Sequence, residues 1–206
     1  MDAPPAALPP NHHADHPQFT GLWGLGMGLV FLSSSRGAIG ELACKEAGIR
    51  KGDRLVDIGC GPGAAVRRAL RRGVDSALGI DPAPWMLRLG RLFTRDPRAV
   101  WAEGFAEQLP AGDGAATVAW SLSTVHHWHD LEVGLREVHR VLAPGGRFVV
   151  LEAQVEPGAV GIESHGWYEA QAQSFVAACE AAGFGGVELH ARRAGKAEMW
   201  AVKAVR

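Results

Sequence analysis

Three observations predict an α/β fold whose sheet is mostly parallel, with helices over both faces and an antiparallel pair closing one end. Strand-like and helix-like segments alternate from Arg54 to Glu152, the first strand runs straight into a glycine-rich turn, and only Ala194, Gly195 and Lys196 join the last two strand-like runs. The alternation is the mark of βαβ units, and the short final connection is the mark of a hairpin.

Residues 1–17 hold Pro4, Pro5, Pro9, Pro10 and Pro17 among Ala, Asn and His, without helix or strand period, and are expected to be disordered. His12, His13 and His16 read as part of a solvated tail, because no Cys or carboxylate cluster stands beside them. Residues 18–51 are expected to form an N-terminal helical lid. From Phe19 to Leu32 the glycine spacing weakens a helix, each interior Gly costing about 1 kcal/mol relative to Ala. Ser33, Ser34 and Ser35 then offer N-caps for a helix to about Ala47, ended by Gly48. The remainder, 52–206, reads as one domain.

Its strand-like runs are Arg54–Ile58, Ala77–Asp81, Ala99–Ala102, Ala116–Leu122 and Arg147–Glu152, with helix-like runs Pro62–Arg72, Pro84–Phe93 and Leu131–Leu142 between them. Leu131, Leu135, Val138 and Leu142 fall on one helical stripe, and Pro144, Gly145 and Gly146 turn the chain into the next strand. A helix from Trp167 to Ala182 and strands Val187–Arg192 and Glu198–Val205 finish the chain. Together these make a seven-stranded, Rossmann-like, doubly wound sheet, mostly parallel with an antiparallel C-terminal hairpin.

A chain of 206 residues buries enough surface to need no staple. Twenty-one Lys+Arg against 22 Asp+Glu remove the electrostatic reason to expect nucleic acid or an anionic membrane as partner. Three Cys without a CxxC spacing argue against a disulfide framework or a zinc ribbon and suit a reducing cytoplasm. The longest nearly unbroken apolar stretch, Gly21 to Leu32, falls short of the ~20 residues of a membrane span and, with a polar His/Pro tract before it in place of a basic n-region, reads as a poor signal peptide.

The turn reads Val56, Asp57, Ile58, Gly59, Cys60, Gly61, Pro62, Gly63, and with Ala64 and Asp81 it also satisfies the loose dinucleotide pattern. Two residues speak against a pyrophosphate. Pro62 removes an N–H that a phosphate would use at the helix start, and Asp57 brings an anion to the strand end. A ligand with an amino group and a sulfonium suits that carboxylate.

Here the sequence resembles the class I S-adenosylmethionine-dependent methyltransferases, in particular the small-molecule branch called type 11. Asp57–Gly63 matches the first motif of that family, and Gly79, Ile80, Asp81 matches the acidic end of its second strand. Ala106–Pro110 matches the segment after its third, and Glu137–Phe148 the helix and turn before its fifth. The resemblance implies S-adenosylmethionine as cofactor and S-adenosylhomocysteine as product. It places Gly59, Cys60, Gly61 and Gly63 along the methionine end, Asp57 near the amino group, Asp81 on both ribose hydroxyls, Pro82 and Met86 beside the adenine, and Ser121 facing the methionine. Where the family reads Gly-Asp-Ala, this chain has Gly104, Phe105, Ala106. Phe105 cannot accept the adenine amino group's hydrogen bond; it stacks on the base or is a core aromatic.

The acceptor side follows the fourth strand, in Ser123, Thr124, Val125, His126, His127, Trp128, His129, Asp130, and Glu152 ends the neighbouring fifth strand. This resembles sugar and natural-product O-methyltransferases, in which a His and a carboxylate at these places act together. His126 or His127 is then the general base and Glu152 its orienting acid. Metal binding by His126, His129 and Asp130 is set aside, because no further ligand group accompanies them. Trp23, Trp128 and Trp167 are expected around the acceptor pocket, with the segment from Phe19 as its lid. Arg67, Arg68, Arg71 and Arg72 read as a solvated helix face. The expected activity is methyl transfer to a small-molecule hydroxyl. An amine, carbon or thiol acceptor, a nicotinamide-dependent oxidoreductase, a non-catalytic cofactor-binding role, and a homo-oligomer stay open.

Overall fold

The computed structural model describes residues 8–14 and 34–206. The expected lid from Phe19 to Leu32, Trp23, His16 and the remainder of the tail lie outside the described residues. The elements are α1 (Ser34–Glu46), β1 (Arg54–Ile58), α2 (Ala64–Arg72), β2 (Ser76–Asp81), α3 (Pro84–Phe93), β3 (Ala99–Glu103) and β4 (Ala116–Leu122), followed by α4 (Leu131–Val141), β5 (Leu142–Ala153), α5 (Glu169–Ala181), β6 (Gly185–Ala194) and β7 (Ala197–Val205). They build one seven-stranded sheet in the order β3-β2-β1-β4-β5-β7-β6. The first five strands pair in parallel, and β7 pairs antiparallel with both β5 and β6.

Alternate residues of the central strands feed two cores. Val56, Ile58, Phe148 and Val150 pack with Leu135 and Val138 of α4 and Phe175 of α5 on one face. Leu55, Val118, Trp120, Val149 and Leu151 pack with Leu42 of α1 and Val66 and Leu70 of α2 on the other. The strand period of two puts successive side chains on opposite faces, which is why near-continuous apolar runs are needed here. Among the described residues no helix is long and apolar enough to cross a membrane.

Helix α2 starts two residues later than its sequence suggests, because Gly63 caps it in the left-handed region at φ 76°. Pro62 therefore precedes the cap and takes no helical position. The arginines of α2 also differ from a plain solvated face. Arg67 is half-buried and donates to Pro62 O at 2.7 Å, Arg68 pairs with Glu41 of α1 at 3.3 Å, and Arg72 pairs with the same carboxylate.

Residues 8–14, expected to be disordered, are folded as a turn against the start of α5. Trp167 Nε1 donates to Pro10 O at 2.7 Å, Gln171 Nε2 to Pro9 O at 3.1 Å, and the Leu8 N–H to Tyr168 Oη at 2.9 Å. Side-chain donors at buried positions need partners, and the proline carbonyls supply them. Such contacts are what a compositional argument for disorder cannot see.

Trp101 of β3 has a seat made of three glycines. A Cβ at Gly63, Gly79 or Gly90 would lie 2.0, 2.8 or 2.7 Å from its ring. Gly90→Ala would add about 1 kcal/mol of stability in an open helix. Here the ring is hemmed in from three sides, and overpacking costs about 1–3 kcal/mol. We expect urea unfolding of Gly90→Ala to show a net loss; a gain would mean that the ring moves freely.

Candidate active site

Strand order reverses between β1 and β4. At such a point the connections leave in opposite directions and open a crevice at the carboxyl edge. The turn after β1 and the turn after β4 border it, and hydrogen bonds lock them together. Thr124 Oγ1 donates to Ile58 O at 3.1 Å, so the Ser121 hydroxyl donates to Thr124 Oγ1, at 2.5 Å. Ser121 is fully buried and spends its hydroxyl on this link. Ser123 holds a left-handed φ of 58°, the only non-glycine among the described residues to do so, and its N–H donates to Leu151 O at 2.7 Å. Strain of this kind gathers where a turn must present its side chains in one way.

Gly59, Gly61 and Gly63 all have positive φ, but for different neighbours. A Cβ on Gly59 would lie 2.5 Å from the Thr124 methyl, and one on Gly63 would strike Trp101; over Gly61 nothing lies within 4 Å. Internal packing thus accounts for two of the three, and Gly61 alone opens to the crevice. Asp81, at the end of β2, braces the turn: Oδ2 accepts the Gly61 N–H at 2.8 Å and Oδ1 the Ala83 N–H at 2.9 Å. Asp57 does not stand in the open crevice. Its side chain is 1% exposed, beneath the turn and on the face that α1 and α2 cover. Burial, reinforced by the charges of Asp57 and Asp81, pushes the Cys60 thiol well up, and burial raises Cys44 to about 11. Burial raises the Cys179 thiol as well. None of the three is a nucleophile at neutral pH.

Met86 is buried in α3, and Pro82 is half-buried just before it. Gly104 leaves room for Pro110 and Ile80, and Ala106 enters the core. Phe105 is not a core aromatic: it is 42% exposed, with its ring edge-on to His129 at 5.9 Å. The residues present fit S-adenosylmethionine. They offer an open backbone turn at Gly61, a carboxylate at Asp81, and an exposed aromatic at Phe105.

On the other side of the crevice, His126 and His127 form a one-turn 3-10 helix, Val125–His127. Both oxygens of the fully buried Glu152 hold this turn, Oε1 accepting the Val125 N–H and Oε2 lying on His126 Nδ1, each at 2.8 Å. His126 is 2% exposed, and its carbonyl accepts the His13 N–H at 2.8 Å. His127 Nδ1 lies 3.3 Å from His13 O. Burial, then the adjoining His126, lowers the His127 pKa to about 4, so this ring is neutral at pH 7.

His129 and Asp130 stand apart from this pair. The His129 N–H donates to Glu107 at 2.7 Å, and Asp130 caps α4 by accepting the Val133 N–H at 2.9 Å. Such a cap contributes about 1 kcal/mol. Instead, the structure brings in two residues that the sequence reading did not place here. His165 lies with His126 and His127 so that one ligand atom of each is within 4.8 Å of the others. His13 stacks on His165 at 4.4 Å, its Nε2 lying 3.1 Å from the carbonyl and the hydroxyl of Ser164. The His-rich tail was the only sequence signal of this gathering; His165 gave none. Trp128 and Trp167 do not line a pocket, being 5% and 0% exposed in the core, and Gly134 is glycine because a Cβ there would meet the Trp128 ring at 2.5 Å.

Residues 56–150 match the family described as "Methyltransferase domain". The chain is 34% identical over 120 residues to 27-O-demethylrifamycin SV methyltransferase of Amycolatopsis mediterranei, covering 56% of this chain and 44% of that protein. It is 36% identical over 103 residues to the ubiquinone/menaquinone biosynthesis C-methyltransferase UbiE of Rubrivivax gelatinosus, covering 49% and 39%. It thus spans less than half the length of either relative. Among solved structures, a SAM-dependent methyltransferase from Aquifex aeolicus superposes with a TM-score of 0.70 at 17% identity, over 87% of this chain and 97% of that one. Residues 56–150 thus match a methyltransferase domain, and the seven-stranded sheet that contains them has the fold of the Aquifex aeolicus structure.

Proposed function

We propose that the chain methylates a hydroxyl of a small molecule, a sugar or natural-product alcohol, with His126 as the proton acceptor and Glu152 as its orienting carboxylate. The observation that carries this reading is the buried imidazole–carboxylate contact of 2.8 Å, at the edge of the crevice opposite the glycine turn. When bound, S-adenosylmethionine supplies a methyl group already activated by its sulfonium, so the protein's share is alignment, exclusion of water and removal of the acceptor's proton. Gly59, Cys60, Gly61 and Gly63 would border the methionine end, with Asp57 beneath it, Ser121 pinning the β4 turn, Asp81 at the ribose, and Pro82, Met86, Gly104, Phe105 and Ala106 around the base. Glu152 holds His126 Nδ1–H, which leaves Nε2 to take the hydroxyl proton. His127, neutral and half-buried, lies beside it as a polar wall. The rifamycin relative's name supports an oxygen acceptor. The C-methyltransferase relative supports a second reading, a carbon acceptor at the same edge. Three unpaired, buried cysteines suit a reducing cytoplasm.

The test is a product-mass screen of alcohol and carbon acceptors with S-adenosylmethionine, preceded by thermal shift. S-Adenosylhomocysteine at ~100 times its Kd should stabilise the fold by roughly 2.7 kcal/mol, and NAD should not. Stabilisation by NAD alone would overturn the reading of the glycine turn.

A further inference from the structure

We propose that His126, His127 and His165 form a site for one divalent transition-metal ion, zinc by the character of its donors, with an open fourth position facing the crevice. This rests on the cluster's geometry and replaces the proton acceptor assigned above, because His126 Nε2 cannot hold an ion and take a proton at once. One ligand atom from each ring lies within 4.8 Å of the others. Tetrahedral zinc with Zn–N bonds of ~2.0–2.1 Å needs nitrogens about 3.3 Å apart. The rings must therefore close by at most about 1.5 Å, a swing of side chains. His165 can make it: it is half-buried, in the loop between the short 3-10 helix Gly161–Ser164 and α5.

Two further observations distinguish the cluster from three histidines that merely pack. A metal-bound imidazole nearly always gives its second nitrogen's proton to a carboxylate or a backbone carbonyl, which fixes the tautomer and aims the other nitrogen at the ion. Glu152 Oε2 does this for His126 Nδ1, and the His13 carbonyl does it for His127 Nδ1. Both rings are thus set to present Nε2. The second observation is charge: Glu152 is fully buried, and its other contact is the Val125 N–H, so a cation held by neutral imidazoles would neutralise the carboxylate through His126. Three nitrogens with no oxygen ligand favour zinc, nickel or copper over magnesium or calcium. His13, itself buried, stacks on His165 and lies 3.1 Å from Ser164, so it packs against the cluster. An ion in this place would put its fourth position where an acceptor oxygen could sit and would lower that hydroxyl's pKa, as bound zinc does for water.

The experiment uses the full chain without a histidine tag, stripped of metal and titrated with Zn²⁺ by calorimetry and with Co²⁺ by visible absorption. The expected result is one ion per chain, with the absorption of tetrahedral cobalt. His165→Ala and His127→Ala should each lose more affinity than the ~10- to 100-fold that Glu152→Gln costs as an outer partner. His139→Ala, on α4 away from the cluster, should bind as wild type. His165→Ala alters a loop, so its metal-free melting should match wild type and it decides the matter even where His127→Ala fails to fold. Zinc binding that survives His165→Ala, or no zinc binding by a folded chain, overturns the proposal. Absence of S-adenosylhomocysteine binding would overturn the methyltransferase reading and leave this one standing.

Discussion

His126→Asn is expected to turn over its acceptor at least ~10²-fold more slowly than wild type and to bind S-adenosylhomocysteine unchanged. The ring's contacts are Glu152 and the neighbouring imidazoles, not the glycine turn or Asp81, and the His13 N–H bonds the His126 carbonyl, which the substitution keeps. Asparagine keeps a polar group opposite Glu152, which matters because a buried carboxylate stripped of its partner costs roughly 3–5 kcal/mol. Glu152→Gln should also slow turnover. Its amide oxygen can still accept the Val125 N–H, so the turn after β4 stays in place. The double variant should be little worse than the worse single, since two groups acting as one unit fail together. Turnover of His126→Asn within a few-fold of wild type would leave alignment as the whole mechanism. Full loss has two sources, a missing proton acceptor or a missing ligand. Wild type stripped of zinc separates them, because it loses turnover only in the second case.

For Asp81→Ala the expected result is a fall in S-adenosylhomocysteine affinity of at least tenfold, read by calorimetry. Hydrogen bonds to a charged group contribute about 1.5–3 kcal/mol, and 1.4 kcal/mol is a factor of ten. The structure adds a second reason. Asp81 also receives the Gly61 and Ala83 N–H groups, so its removal frees the one glycine of the turn that opens to the crevice. Asp81→Asn keeps one acceptor oxygen and should fall between the two. Unchanged affinity in a folded Asp81→Ala chain would place the cofactor elsewhere.

Local pattern carried the elements further than the site. Arg54–Ile58, Ala116–Leu122 and Pro84–Phe93 are read with their observed bounds, because apolar runs cut by glycine and proline are local signals. The start of β5 is read five residues late: Leu142 joins the sheet by pairing with Ala116, a distant partner. The His126–Glu152 contact was legible because both residues end neighbouring parallel strands, so topology alone brings them to one edge. His13 and His165 were not, since they arrive on loops whose course only tertiary packing sets. Trp128 and Trp167 show the converse failure. A large aromatic suits a core as well as a pocket, and spacing does not choose between them.

The turn at residues 8–14 closes on partners made late. Its bonds to Tyr168, Trp167 and Gln171 span 160, 157 and 162 residues, whereas the Gly61–Asp81 brace spans 20. At ~5–20 residues per second of synthesis, the first segment waits roughly 8 to 30 s for its docking site. Only in the last third or so of that interval, after Ser121 is made, are all the residues assigned to the cofactor half present, and His165 is made just before the docking site itself.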